Sequence, residues 1–132
     1  MSMTDPIADM LTRMRNGIYR KYDTIDIPSS QLKLGLARIF KEEGFIRKYE
    51  IVDQKAHKVI RIHLKYVRQD QPVIDGLRRI SKPGRRVYVG KNEIPTVRGG
   101  LGLAVLSTSQ GLMTDRESKR RNIGGELLCY IW

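Results

Sequence analysis

The chain has 132 residues, 40% hydrophobic and 30% charged, with 25 Lys and Arg against 14 Asp and Glu, so its formal net charge is +11. A chain this long buries roughly two thirds of its unfolded surface, in one compact unit or two small ones sharing an interface. Its one cysteine, Cys129, excludes an internal disulfide framework and fits a reducing compartment, and no apolar run approaches the ~20 residues of a membrane span. With no secretory leader ahead of the first helix signal, a soluble cytosolic chain is expected.

Most of the excess charge is local. Residues 1–53 carry nine basic and eight acidic side chains and residues 93–132 carry five and four, whereas residues 54–92 carry eleven and two. Such a block attracts polyanions, nucleic acid first and an anionic membrane second. A face kept charged only for solubility has no need to be so concentrated.

Thr4 and Asp5 before Pro6 make a helix start, and Ile7, Met10, Leu11, Met14 and Ile18 follow at helical spacing, with Asn16-Gly17 ending or loosening the helix. Thr24 to Ile27 alternates as a short strand that Pro28 stops. Ser29 or Ser30 caps a second helix reaching Glu43, with Leu32, Leu36, Ile39 and Phe40 on one face and Gly44 as its stop. Phe45–Val52 and Val59–Val67 read as strands flanking a turn, with Arg61, His63 and Lys65 on the outer face. Gln69-Asp70-Gln71-Pro72 is the expected junction between an N-terminal α/β layer, residues 1–68, and a β-rich part, residues 73–132. Beyond it come β-like patterns over Val73–Ile80 and Arg85–Val89 and at most a short helix in Lys91–Leu101. A strand over Leu103–Leu106, two helical turns over Asp115–Arg121 capped by Thr114, and a closing strand over Leu127–Trp132 complete the chain.

Catalytic patterns are nearly absent. Ser30 and Lys33 spell the S-x-x-K of acyl-transferring serine enzymes, but no companion motif follows and a capping serine explains the position. His57 and His63 have no cysteine or carboxylate at metal-ligand spacing. Gly99-Gly100-Leu101-Gly102 lacks the third glycine and the strand-before-helix setting of a dinucleotide loop, and reads as a turn. Asp115 and Glu117 read as first-turn helix residues rather than a metal-binding pair. No enzyme activity, metal, cofactor or small-molecule substrate is expected. The rival readings are a small nuclease or RNA-modifying enzyme on the same basic surface, and a membrane-surface protein, for which a long basic amphipathic helix is missing.

Two motifs point to binding. Ser81-Lys82-Pro83-Gly84-Arg85-Arg86-Val87-Tyr88 combines cations, a sharp turn and an aromatic ring that either stacks on a base or lies half-buried in a strand. Ser107-Thr108-Ser109 presents three hydroxyls that either meet base edges, riboses and phosphates or satisfy their own turn.

The C-terminal run STSQGLMTDRE…NIGGELLCYIW resembles the signature of the universal small-subunit ribosomal protein S-eight family in its bacterial form. TDPIADMLTRMRNG, IPSSQLKLGLARIFKEEGFI, RRISKPGRRVY and GGLGLAVLSTS resemble the same family in the same order, so the likeness spans essentially the whole chain. It implies an α+β fold of two small domains, two helices on a three-stranded sheet followed by a mostly β domain with short helices. It also implies a ribosomal, cytoplasmic protein that binds a helix in the central domain of small-subunit ribosomal RNA during assembly, beside neighbouring small-subunit proteins. In some bacteria the family represses its own operon through a messenger element mimicking that site. Carried over by position, the RNA contacts would be Ser107, Thr108, Ser109, Gln110 and Gly111, with Gly124 and Glu126, joined by Arg86 and Tyr88. Thr4, Asp5, Pro6, Lys33 and Lys55 would make weaker contacts. Glu126 fits as an acceptor for a base or ribose donor, or as an anchor for the hydroxyl loop. The family often has lysine where this chain has Gln31 and Gln110, so Lys33, Arg116 or Lys119 is expected to take over.

Overall fold

The structure, a computed structural model, describes residues 4–132. Pro6–Asp75 forms one compact unit, and Gly76–Trp132 forms a second to which Asp5 belongs.

The first unit runs α1 (Pro6–Tyr19), β1 (Thr24–Pro28), α2 (Gln31–Glu42), β2 (Ile46–Gln54) and β3 (His57–Leu64). β3 is the middle strand of an antiparallel sheet ordered β1-β3-β2. Period-2 alternation puts Ile60, Ile62 and Leu64 on its buried face, opposite Ile27 and Ile25 of β1. α1 packs on β1 and α2 on β2, and Met10, Met14, Leu36 and Phe40 have no exposed surface. On the other face Arg61 donates two hydrogen bonds to Asp26, at 2.9 and 3.0 Å, its cross-strand partner. Those bonds come first in holding the Asp26 carboxyl below its ordinary range, against the opposing effect of burial.

Ser30 caps α2, its hydroxyl accepting from the Lys33 N–H at 3.2 Å, and Gly44 follows at φ +83°, a left-handed conformation that suits glycine. Two expectations fail here. Leu32 is 39% exposed and Lys33 is buried, because Lys33, Leu36, Ala37 and Phe40 share the buried stripe at spacings of three and four. Nor does Gly17 end α1, which continues to Tyr19. A Cβ at Gly17 would lie 2.5 Å from Ile25 Cγ2 and 3.2 Å from Leu64 Cδ1, so the glycine lets the helix sit close against the sheet.

The second unit holds β4 (Leu77–Arg79), β5 (Tyr88–Val89), β6 (Leu103–Thr108), β7 (Gly111–Thr114), α3 (Asp115–Arg120) and β8 (Gly125–Ile131). β8 is its axis. β4 and β5 pair successively along one edge of β8, β6 pairs along the other, and β7 lies outside β6. Strand β7 is not anticipated from its sequence, since four residues beginning with glycine carry little periodicity. The regular parts of 73–80 and 85–89 are also shorter than expected. Between β5 and β6, Ile94 and Val97 pack with Ala104, Leu106 and Leu127 in the core, and the Arg98 guanidinium stacks 4.5 Å from the Trp132 ring centroid.

Gly17→Ala tests the helix–sheet approach. Helix propensity alone favours alanine by ~1 kcal/mol, whereas overpacking costs about 1–3 kcal/mol. The expected result is a lower urea midpoint, with net destabilisation of about 1 kcal/mol. A raised midpoint contradicts the packing role.

Candidate nucleic-acid interface

The interface is built on β8. Two glycines bring its neighbours into place: a Cβ at Gly124 would lie 2.2 Å from the Val89 carbonyl oxygen, and one at Gly125 2.3 Å from the Ser107 carbonyl oxygen. No side chain fits at either position unless backbone moves. With both small, Glu126 stands opposite Tyr88 on β5 and opposite Ser107 on β6. Ser107 in turn stands opposite Leu112 of β7. Directly paired residues of antiparallel strands project from the same sheet face, so Tyr88, Glu126 and Ser107 form a row.

The ends of the row are chemically uncommitted. Tyr88 is 70% exposed, and no hydrogen bond ties the phenol of Tyr88 or the hydroxyls of Ser107 and Ser109 to any described residue. Thr108 differs. Its hydroxyl donates to the Gly111 carbonyl at 2.9 Å and accepts from the Gln110 N–H at 3.0 Å, so it closes the two-residue turn between β6 and β7. Gly111 supports that turn at φ +103°, and Gln110 Oε1 accepts from Arg121 at 3.0 Å. Of the three successive hydroxyls, the middle one serves the fold and the outer two remain available.

Glu126 sits at the centre as an acceptor for protein donors. Its Oε2 takes the Ser81 hydroxyl at 2.5 Å and Arg86 Nη1 at 3.0 Å, while Ser81 Oγ also accepts the Val87 N–H at 3.2 Å. The carboxylate therefore anchors Ser81 to Val87, not the hydroxyl loop. Burial pushes its pKa up, but the hydrogen bonds from Ser81 and Arg86, with the charges of Arg86 and Arg79, together outweigh it and hold the group below its ordinary value of 4.5. Ser81, fully buried, has no sequence signal beyond its place before Lys82-Pro83-Gly84.

α3 is capped by Thr114, whose hydroxyl accepts from the Glu117 N–H at 3.3 Å. The charges near it are largely committed. Glu117 takes hydrogen bonds from Arg120 and from Arg121, the latter at 2.6 Å. The bonds from these two arginines, ahead of the opposing effect of burial, hold its carboxyl at about 2. Arg116 donates to the Gly100 carbonyl and Lys119 to Thr96 Oγ1 at 2.6 Å. The side chains expected to replace the absent lysines are thus occupied, and Lys33 is only 6% exposed. Burial, opposed by Asp9 and reinforced by Arg13, lowers the Lys33 pKa.

The remaining expected positions are spread out. Pro6 opens α1, and exposed Lys55 sits in the β2–β3 turn at φ +46°; both, like Lys33, belong to the first unit. Thr4 is exposed, and the Asp5 carboxylate pairs with Arg79 at 3.1 Å. Cys129 is buried, which pushes its thiol up to about 12 and leaves it inert. Among the described residues no cluster of His, Cys, Asp and Glu could hold a metal ion, and no helix is long and apolar enough to cross a membrane.

Fold and surface define a small, basic α+β protein in two compact units, with aromatic and hydroxyl groups in one cross-strand row. A family model described as Ribosomal protein S8 matches residues 5–132. Proteins named small ribosomal subunit protein uS8 are similar across their length. That of Thermodesulfovibrio yellowstonii is 58% identical over 130 residues, covering 98% of this chain and 99% of the relative. Those of Natranaerobius thermophilus and Halothermothrix orenii are 57% and 54% identical over 132 residues, covering all of both chains. The chain belongs to the ribosomal protein S8 family.

The depressed Glu126 pKa gives a pH test. The folded chain holds this proton more weakly than the unfolded chain, so the anchor's contribution is full above 4.5 and is lost as pH falls through the lower folded value. Urea unfolding followed by the fluorescence of Trp132 should show wild type and Glu126→Gln far apart at neutral pH and converging in acid. Parallel pH curves contradict the assignment.

Proposed function

We propose that this chain binds small-subunit ribosomal RNA directly, in the central domain of that RNA, and helps the subunit assemble. As a member of its family it is a structural protein of the small ribosomal subunit, and so a protein of the cytoplasmic ribosome rather than an enzyme. The observation that carries the RNA-binding reading is the Tyr88–Glu126–Ser107 row, whose two outer members have hydroxyls hydrogen-bonded to no described residue.

A-form RNA hides its base edges in a deep, narrow groove, so a protein reads it through the shallow groove or at unpaired, distorted positions. The free hydroxyls of Ser107 and Ser109 suit riboses and base edges there, and the exposed Tyr88 ring suits stacking. Gly111, with open space beside its Cα, lets RNA backbone come close, whereas Gly124 contributes by admitting the Val89 backbone that carries Tyr88 alongside β8. Thr108 and Gln110 shape the turn, while Arg86 and Glu126 fix the base of the Ser81–Tyr88 segment. Lys55, at a hairpin tip, adds a phosphate contact of low specificity, with Thr4, Asp5 and Pro6 at the margin. Buried Lys33 contributes through the position of α2. A messenger element of the same shape would occupy the same surface, which is how the chain would repress its own operon. Neighbouring small-subunit proteins complete its surroundings.

Two substitutions separate selection from attraction. Ser107→Ala should weaken binding to a central-domain RNA fragment by about 1–2 kcal/mol, because the RNA group it meets loses a partner, and should barely affect random RNA. Lys55→Ala should weaken both alike and lower the slope of log K against log salt by about 0.7–0.9. Equal losses on both RNAs for Ser107→Ala would overturn the division of roles, and a wild-type chain that fails to prefer the central-domain fragment would overturn the reading itself.

A further inference from the structure

Arg78, Arg79, Lys82 and Arg85 line a notch of about 280 Å³ with Ile80 and Val87 in the second unit. Arg79 is a structural part of it. Its side chain is 9% exposed, and its guanidinium pairs with Asp5 and donates to the Leu128 carbonyl at 2.8 Å. Arg78, Lys82 and Arg85 are exposed, and no side-chain hydrogen bond or ion pair joins any of them to a described residue. The three cations stand around one concavity with their charges uncompensated.

The placement is built rather than incidental. Between the stretch paired to Leu127 through the Ser81 N–H and the stretch returning through the Val87 carbonyl, the chain leaves the edge of β8. Lys82 and Arg85 close that excursion on each other with two backbone hydrogen bonds, at 3.0 and 2.9 Å, around Pro83-Gly84. Its base is pinned by Ser81, held by the Glu126 carboxylate and holding the Val87 N–H. A buried hydroxyl bonded to a partly buried carboxylate thus fixes a turn that presents two free cations toward a third.

A larger groove in the first unit, about 650 Å³ and lined in part by Arg13, Arg61 and His63, makes a useful contrast. Those groups pair with Asp9, Asp26 and Glu50. Of the three arginines lining the larger groove, Arg13 and Arg61 are paired with described acids and Arg20 is not, whereas in the smaller notch none of Arg78, Lys82 and Arg85 is paired with a described acid. Like charges held together repel and lower stability unless an anion arrives.

We propose that Arg78, Lys82 and Arg85 form a phosphate clamp for the sugar–phosphate backbone of bound RNA, with Ser81 and Glu126 as its positioning residues. The inference rests on the RNA-binding reading above and assigns the pull to a site separate from the Tyr88–Ser107 row. Phosphodiesters fit a small notch walled by cationic side chains, since guanidinium groups grip phosphate oxygens through paired N–H donors.

The test is a salt titration of the full chain on a central-domain RNA fragment. Replacing Arg78, Lys82 and Arg85 together by alanine should lower the slope of log K against log salt by about 2–3, or about 0.7–0.9 for each phosphate no longer neutralised. A charge-matched control, alanine at Lys41, Arg47 and Lys48, should change it by less than half as much. Glu126→Gln adds one positive charge, which by net charge alone would tighten binding, yet the clamp loses its anchor and binding should weaken about threefold or more. A wild-type complex whose slope is unaffected by the triple substitution, or equally affected by the control, overturns the clamp alone. No wild-type complex at all overturns the RNA-binding reading together with the clamp.

Discussion

One carboxylate oxygen organises the second unit's exposed edge. Glu126 Oε2 accepts from Ser81 and Arg86 on a strand whose neighbours reach it only because Gly124 and Gly125 have no side chains. A partly buried negative charge is costly unless it is paired and hydrogen-bonded, and here both conditions are met. The same contacts set the Ser81–Tyr88 segment at a fixed height beside β8. On the proposed reading, one constraint therefore fixes both the aromatic end of the row and the cationic turn. Glu126 then works from behind the surface that faces RNA.

Much of the fold was legible in local pattern. The Ser30 cap, the Gly44 stop, the Thr114 cap and the alternation of β3 are short-range signals, each with its own physical cause. The misses came where tertiary packing overrode such a signal. Gly17 looks like a helix breaker in sequence, yet close approach to Ile25 and Leu64 explains it. Lys33 looks like a surface cation, yet it falls on the buried stripe of α2 while Leu32 faces outward. β7 was unreadable because its pairing with β6 arises from the turn at Thr108–Gly111 rather than from its own periodicity.

The candidate site was legible in composition and not in division of labour. Three successive hydroxyls carry no mark of which one the turn will use; the geometry commits Thr108 and leaves Ser107 and Ser109. The basic helix near the C-terminus looked like a source of attraction, but Glu117 draws in Arg120 and Arg121, and Arg116 and Lys119 serve neighbouring loops. A count of charges cannot separate cations that are paired from cations that are free. That distinction moves the emphasis from α3 to the Lys82–Arg85 turn.

Nucleotide-resolution footprinting of small-subunit RNA by the purified chain tests the central claim most directly. The account expects one compact protected region in the central domain, lost selectively at its irregular, unpaired positions when Ser107 is replaced by alanine, while flanking backbone protection persists. Protection scattered across the RNA, or a footprint unchanged by that substitution, would contradict it.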